Sequence, residues 1–135
     1  MLYYILYTFS LLPLRVLFVL SDVMGFLLYH VVRYRSRLVR RQLIDSFPEK
    51  DTGEIRQIEK KFYRWFCDYV METLKMLSFS EKEMREHMVF ENMEEVNEVL
   101  RGGRNISLFL GHYCNWEWVA SIALHTPFYC AHIYH

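Results

Sequence analysis

Residues 111–118 read Gly-His-Tyr-Cys-Asn-Trp-Glu-Trp, and they join an apolar run at 106–110 to a second apolar run at 116–124. The first run is typical of a buried strand, and the second has the length and pattern of a helix. We therefore predict a strand, a tight turn and a helix. The turn would carry His112, and the first turn of the helix would carry Glu117.

The spacing of the histidine and the glutamate has a chemical meaning. His112 and Glu117 are five positions apart, and on one continuous helix this spacing would turn the two side chains about 140° apart. A break between strand and helix lets them fold back toward each other. A carboxylate on one imidazole nitrogen fixes the tautomer and leaves the other nitrogen as a base. Asn115 stands where a cap of the helix is expected.

Residues 127–134 read as a second strand. Together with the strand at 105–110 and the helix between them, this second strand would form a strand–helix–strand unit. Such a unit has parallel strands and a right-handed crossover. Two parallel strands do not make a finished sheet, because both faces of a parallel sheet must be covered. The sequence therefore predicts an α/β fold with the start of a mainly parallel sheet that is incomplete in this chain.

Three helices are predicted between residue 50 and the strand at 105–110, over residues 51–77, 80–87 and 92–101. The first two begin with Asp or Ser followed three positions later by Glu, which is the spacing of a capping box. The helix at 51–77 carries aromatic and aliphatic residues at intervals of three and four. We expect this stripe to pack against the sheet, and contact with an acyl chain is the alternative. Residues 88–90 read as a short strand.

Residues 2–32 are mostly apolar, with Pro13, Arg15 and Asp22 as interruptions. A single span of about 20 residues fits within this stretch, and Pro13 could instead divide it into two shorter helices in one leaflet. A cleaved signal peptide is not expected, because no basic leader precedes the apolar run. We assign residues 1–32 to a membrane anchor, 33–50 to a basic helix and turn, and 51–135 to the N-terminal part of a further domain.

Five arginines follow the apolar stretch, namely Arg33, Arg35, Arg37, Arg40 and Arg41. By the positive-inside rule, this cluster and everything after it lie in the cytoplasm. The cluster could hold anionic headgroups, or it could contact the phosphate of an anionic lipid substrate. Nucleic-acid binding is not expected, since the rest of the chain is not basic. Three cysteines without metal-type spacing favour a reducing compartment.

The motif from His112 to Glu117 resembles the lysophospholipid and lipid A acyltransferase superfamily, whose mark is His, four residues, then Asp or Glu. Its Asn-Trp-Glu resembles the late lipid A acyltransferases of the lauroyl or myristoyl type. The resemblance extends upstream through 46–49 and 69–75 to the membrane segment. It covers nearly the whole chain and implies that the chain corresponds to the N-terminal half of such an enzyme.

The resemblance implies transfer of an acyl chain from an acyl thioester on acyl carrier protein to a hydroxyl of a lipid A precursor. It implies a place at the cytoplasmic face of the bacterial inner membrane, with no cofactor, metal or nucleic acid. His112 would be the general base and Glu117 would orient it, while Asn115 would lie next to the N–H groups that stabilise the oxyanion. No Ser or Cys nucleophile is required, so Cys114 is assigned to local packing.

Two other functions remain open. One is a phospholipid acyltransferase with a lysophosphatidate-like acceptor, against which Glu117 and the pair Asn115-Trp116 argue. The other is an inactive, membrane-anchored fragment or interaction module. A metal site would draw on His112, Glu117, His125, His132 and His135, whose spacing matches no recognised ligand pattern. We expect the 135-residue chain to be inactive alone, because its predicted sheet is unfinished.

Overall fold

The computed structural model describes residues 1–133, and its regular elements are all helical. Its elements are α1 (Leu2–Ser10), α2 (Leu14–Phe26) with a π-helical continuation (Leu27–Val32), α3 (Ser36–Ser46), α4 (Thr52–Lys75), α5 (Glu81–His87), α6 (Met93–Arg101) and a 3₁₀ helix (Trp116–His125). The chain divides into two compact units. The first is Met1–Lys75, and the second begins at Met76.

The first unit is organised around α4, which packs along α2 and also contacts α1 and α3. The buried side of α2 is marked by Leu17, Ser21 and Gly25, which recur every fourth residue. Two of these are small, so the helices approach closely. A Cβ atom added to Gly25 would lie 3.4 Å from the carbonyl oxygen of Tyr63. Close backbone approach therefore sets the spacing of the two helices.

Polar side chains tie α4 to the helices beside it. Arg40 on α3 donates to Glu59 on α4, with Nη2 2.8 Å from Oε2. At the other end of α4, Lys75 Nζ donates to the carbonyl oxygens of Ser10 (2.9 Å) and Leu12 (3.2 Å). Those carbonyls lie at the end of α1, where the helical ladder stops and acceptors are left over.

The predicted starts of two helices are confirmed. The Glu54 N–H donates to Asp51 Oδ1 at 2.8 Å, and the Asp51 N–H donates to Glu54 Oε2 at 3.1 Å. Ser80 and Glu83 form the second capping box. The basic helix predicted from Arg33 begins later, at Ser36, because residues 33 and 35 have left-handed backbone conformations with φ of 52° and 50°.

The prediction of a parallel sheet is wrong for the part of the chain that the structure describes. None of residues 1–133 lies in a strand, and 105–110, 88–90 and 127–133 are irregular. A strand apolar on both faces is stable only with paired edges and covered faces. Here Phe109 is 91% exposed and Leu108 is 55% exposed. The remaining residue of the second predicted strand, Tyr134, lies outside the described residues.

The second unit contains α5, α6 and the 3₁₀ helix, with α5 packed on the 3₁₀ helix. Its buried apolar side chains are Met84 and Trp118. Asn97 is buried on α6, and its Oδ1 accepts a hydrogen bond from the Thr126 hydroxyl at 2.7 Å. This bond ties the residue that follows the 3₁₀ helix to α6.

Candidate active site

The motif forms a turn followed by a helix. The Tyr113 N–H donates to the Gly111 carbonyl at 2.9 Å, and Cys114 has a left-handed backbone with φ of 53°. The Trp118 N–H donates to the Asn115 carbonyl at 3.3 Å, which is the i to i+3 bond of a 3₁₀ helix. The helix thus begins at the predicted place, although it is 3₁₀ rather than α.

His112 is exposed on this turn, and its ring contacts the ring of Trp116. The two ring centroids are 4.6 Å apart and the planes meet at 69°. Glu117 is half-buried in the first turn of the helix, with its Oε2 atom enclosed. Within residues 1–133 no hydrogen bond joins His112 to Glu117. The paired base and acid therefore stay a prediction.

Asn115 occupies the N-cap position with φ of −88° and ψ of 74°. In the described part of the chain its side chain makes no capping hydrogen bond to the helix. The first N–H groups of any helix point away from its body and carry partial positive charge. They are the groups that the sequence predicts near a developing oxyanion, and the role of Asn115 beside them is untested.

An aromatic cluster of Phe79, His87 and Trp118 supports the helix that carries Glu117. The ring of Trp118 meets Phe79 edge-on at 5.4 Å and His87 at 6.2 Å. Trp118 is only 8% exposed and packs inside this unit, whereas Trp116 lies at the surface against His112. One tryptophan holds the helix and the other covers one side of the imidazole.

The metal-site alternative gains no support from the described residues. Among residues 1–133, His, Cys, Asp and Glu nowhere form a group of three or more that could hold a metal ion. His125 instead packs on Phe90 with centroids 5.0 Å apart. His135, which the alternative also uses, lies outside the described residues. The expectation of a site without metal stays untested.

The cysteines differ in their surroundings. Cys114 and Cys130 are exposed, while Cys67 is buried on α4. Burial raises the pKa of the Cys67 thiol, and the charge of Asp68 raises it further. A thiol held protonated is a poor nucleophile, so Cys67 is a packing residue.

Lys75 has a role that the sequence pattern did not reveal. Its segment, residues 69–75, resembles the family, but the sequence pattern assigns Lys75 no role. The structure buries Lys75 to 7% exposure and places its ammonium on two carbonyls of the α1–α2 junction. The signal that could have found it is Pro13, since a helix ended by proline leaves carbonyls that need donors.

The described fold and site define a helical protein with an apolar N-terminal region, followed by an exposed turn histidine and a nearby acid. Leu14–Val32, 19 residues with a mean hydropathy of 1.7, is long and apolar enough to cross a membrane by length and composition. Residues 1–130 match the family described as bacterial lipid A biosynthesis acyltransferase. The chain therefore belongs to that family, which is membrane-associated in bacteria. No curated protein and no solved structure matches the chain.

Proposed function

We propose that His112 is the general base of an acyl transfer from an acyl thioester of acyl carrier protein to a hydroxyl of a lipid A precursor. Family membership over residues 1–130 gives the class of reaction, namely an acyltransferase of lipid A biosynthesis. The observation that carries the residue assignment is the exposure of His112 on a turn. A base must be reachable by the hydroxyl from which it takes the proton.

The proposed transfer consists of a proton transfer with attack, followed by loss of the thiol. One nitrogen of His112 takes the proton of the acceptor hydroxyl as its oxygen attacks the thioester carbonyl carbon. The carbonyl oxygen becomes an oxyanion near the N–H groups that follow Asn115. The carbon–sulfur bond then breaks, and the leaving thiolate takes the proton from the imidazolium. The products are an ester and the free thiol of the carrier protein.

Glu117 is the partner that would orient the ring and stabilise the imidazolium. In the structure the ring rests against Trp116 instead. The His112 side chain is exposed and makes no hydrogen bond in residues 1–133, and the proposal requires it to turn to the carboxylate when substrate binds. Hydrogen bonds of catalytic groups are often long before substrate binds, so the pairing belongs to the substrate complex.

The proposed place is the cytoplasmic face of the inner membrane. It is supported by the arginines at 33–41, which directly follow the apolar segment, because basic residues beside a membrane segment favour the cytoplasmic side.

The test uses His112→Gln and Glu117→Gln in the natural polypeptide that contains this sequence. Labelled acyl groups are followed from acyl carrier protein to a lipid A precursor in washed membranes. We expect the rate to fall by about 10²–10⁴-fold in His112→Gln, the range for loss of a general base. The rate should also fall in Glu117→Gln, whereas Glu117→Asp should retain part of the rate.

His132→Gln is the matched control, since His132 is also an exposed histidine of the second unit. It should keep the unaltered rate. Immunoblots of the membranes check that every variant accumulates. Full transfer by both His112→Gln and Glu117→Gln would refute the assignment, and transfer from acyl-coenzyme A alone would refute the proposed donor.

A further inference from the structure

Helix α2 has two different sides. Its buried side carries Leu17, Ser21 and Gly25 and faces α4. The other side of α2 and of its π-helical continuation is exposed and apolar. Its side chains recur at intervals typical of one helical face, namely Val16, Val19, Val23, Phe26, Leu27 and Val31. Most of these exposed side chains therefore point away from α4.

A charged edge runs beside this apolar face. Asp22 lies near the middle of Leu14–Val32, and its Oδ1 is 2.9 Å from Arg64 Nε on α4. The two side chains are 53% and 70% exposed. If α2 crossed a bilayer, this exposed ion pair would face hydrocarbon near the midplane, where charged side chains are least tolerated.

Helix α4 would bring further charged side chains into the hydrocarbon. It lies along α2, and an upright α2 would carry it into the bilayer. Along that length α4 holds Asp68, which accepts a hydrogen bond from Ser21, and Lys75, which donates to Ser10 and Leu12. A charged helix fits water or headgroups much better than acyl chains.

We propose that α1 and α2 lie in the plane of an anionic membrane surface, with the exposed apolar face of α2 in one leaflet. The Asp22–Arg64 pair then sits at headgroup level, and α4 lies on the water side. An amphipathic helix of this kind enters the headgroup and acyl boundary by about 5–10 Å, which is close to the diameter of one helix.

Two further observations fit a bilayer surface as the partner. Apart from Thr8, the exposed side chains of α1 are apolar or aromatic and include Tyr3, Tyr4 and Phe9, and aromatic rings favour the membrane interface. The arginines at 33–41 follow the apolar helix and are exposed. Their charge complements anionic headgroups at the level where an in-plane helix would leave them.

The inference rests on the membrane location given under the proposed function, but it does not depend on His112. It concerns how the chain is held at the membrane. The prediction for the depth of α2 and the prediction for the acyl-transfer rate can therefore be refuted separately. An inactive protein that lies in the interface would leave this inference standing, and an active protein with an upright α2 would overturn it.

The test compares a fluorescent probe on Asp22→Cys with the same probe on Val23→Cys. The full natural chain is used, with its other cysteines replaced, in vesicles of phosphatidylethanolamine and phosphatidylglycerol. Lipids that carry quenchers at different depths locate each probe. In an upright helix the two positions differ by about 1.5 Å in depth. In an in-plane helix they lie on different sides of a cylinder about 10 Å wide, and the Val23 probe should be clearly deeper.

A second pair of probes leaves the Asp22–Arg64 ion pair intact. Val16→Cys and Val31→Cys are both on the exposed apolar face, and an upright helix would separate them along the membrane normal by about 22 Å at ~1.5 Å per residue. We expect equal depths in one leaflet. Probes in opposite leaflets, or equal depths for the probes at 22 and 23, would overturn the proposal.

Discussion

At the scale of single residues, the most demanding interaction of the first unit is the ion pair of Arg40 and Glu59. The Glu59 side chain is fully buried, while that of Arg40 is 46% exposed. A buried carboxylate is stable only with a charged or hydrogen-bonded partner. Both Nε and Nη2 of Arg40 donate to the same oxygen, at 3.0 and 2.8 Å. This arginine is therefore more than one member of a basic cluster.

Arg40→Met should destabilise the first unit, whereas Arg41→Met should not. Loss of Arg40 leaves the Glu59 charge buried, which costs about 2 kcal/mol after allowance for the exposed guanidinium. Arg41 is 83% exposed and lies 3.9 Å from Asp45, a surface contact worth close to nothing. Denaturation of the full chain in detergent micelles, followed by circular dichroism, gives the free energy of unfolding. Equal losses in the two variants would contradict the special role of Arg40.

Alkali should weaken the packing of Tyr63 through its ionisation. Burial, followed by the charge of Glu59, raises the pKa of Tyr63 above the ordinary value of 10.0. The folded state thus keeps a proton that the unfolded state loses. The contribution of Tyr63 to the free energy of unfolding is therefore constant well below pH 10 and falls as the pH rises above it. Tyr63→Phe should reduce that fall in the same denaturation experiment. An identical alkaline profile for the variant would show that other groups cause it.

At the scale of elements, the contact of α2 with α4 depends on Gly25. A single Cβ there would make ordinary contacts, 3.4 Å to the Tyr63 carbonyl oxygen and 3.5 Å to the Arg64 Cα. Gly25→Ala should therefore fold normally. Gly25→Leu adds atoms where backbone already lies, and overpacking of this kind costs about 1–3 kcal/mol. Thermal unfolding of both variants in micelles measures the difference, and a Gly25→Leu protein as stable as Gly25→Ala would refute close packing at this point.

Elements that depend on local chemistry could be predicted from the sequence, and elements that depend on distant partners could not. The capping boxes at Asp51 and Ser80 use residues three apart, so both helix starts could be predicted from the sequence. The strand at 105–110 needs neighbours that the described residues do not supply, and its apolar pattern alone could not show that. The partner of Asp22 is Arg64 on α4, and spacing along one helix cannot reveal a partner on a second helix.

The candidate site was predictable to the same extent. The turn with His112 and the helix start near Asn115 follow from local sequence, and both occur. The mutual orientation of His112 and Glu117 depends on rotamers and on surroundings beyond the motif. The aromatic support of Trp118 by Phe79 and His87 joins residues about 30 to 40 positions apart, which no periodicity could have paired.

At the scale of the whole molecule, the charges are balanced in number but not in position. The net formal charge is zero, yet five arginines lie within residues 33–41 and many of the acids lie within 81–98. Screening limits the reach of each charge to about 8–10 Å at ordinary salt. An anionic surface therefore senses the local arginine cluster rather than the net charge, and a neutral protein can still bind acidic lipid electrostatically.

The double substitution Arg37→Gln with Arg41→Gln removes two positive charges from the cluster. It should weaken binding to vesicles that contain phosphatidylglycerol without abolishing that binding. Each arginine near the surface contributes about 1 kcal/mol, or about fivefold in affinity, while the apolar faces of α1 and α2 continue to hold the lipid. Both arginines are exposed, and neither is the partner of Glu59. Co-sedimentation with vesicles of varied phosphatidylglycerol content gives the affinity, and added salt should reduce the difference in affinity between the variant and the unaltered chain.

The matched control removes two positive charges from α5 by Lys82→Gln and Arg85→Gln, which lie in the second unit. If that control weakens binding equally, overall charge governs attachment and the arginine cluster has no special place in it.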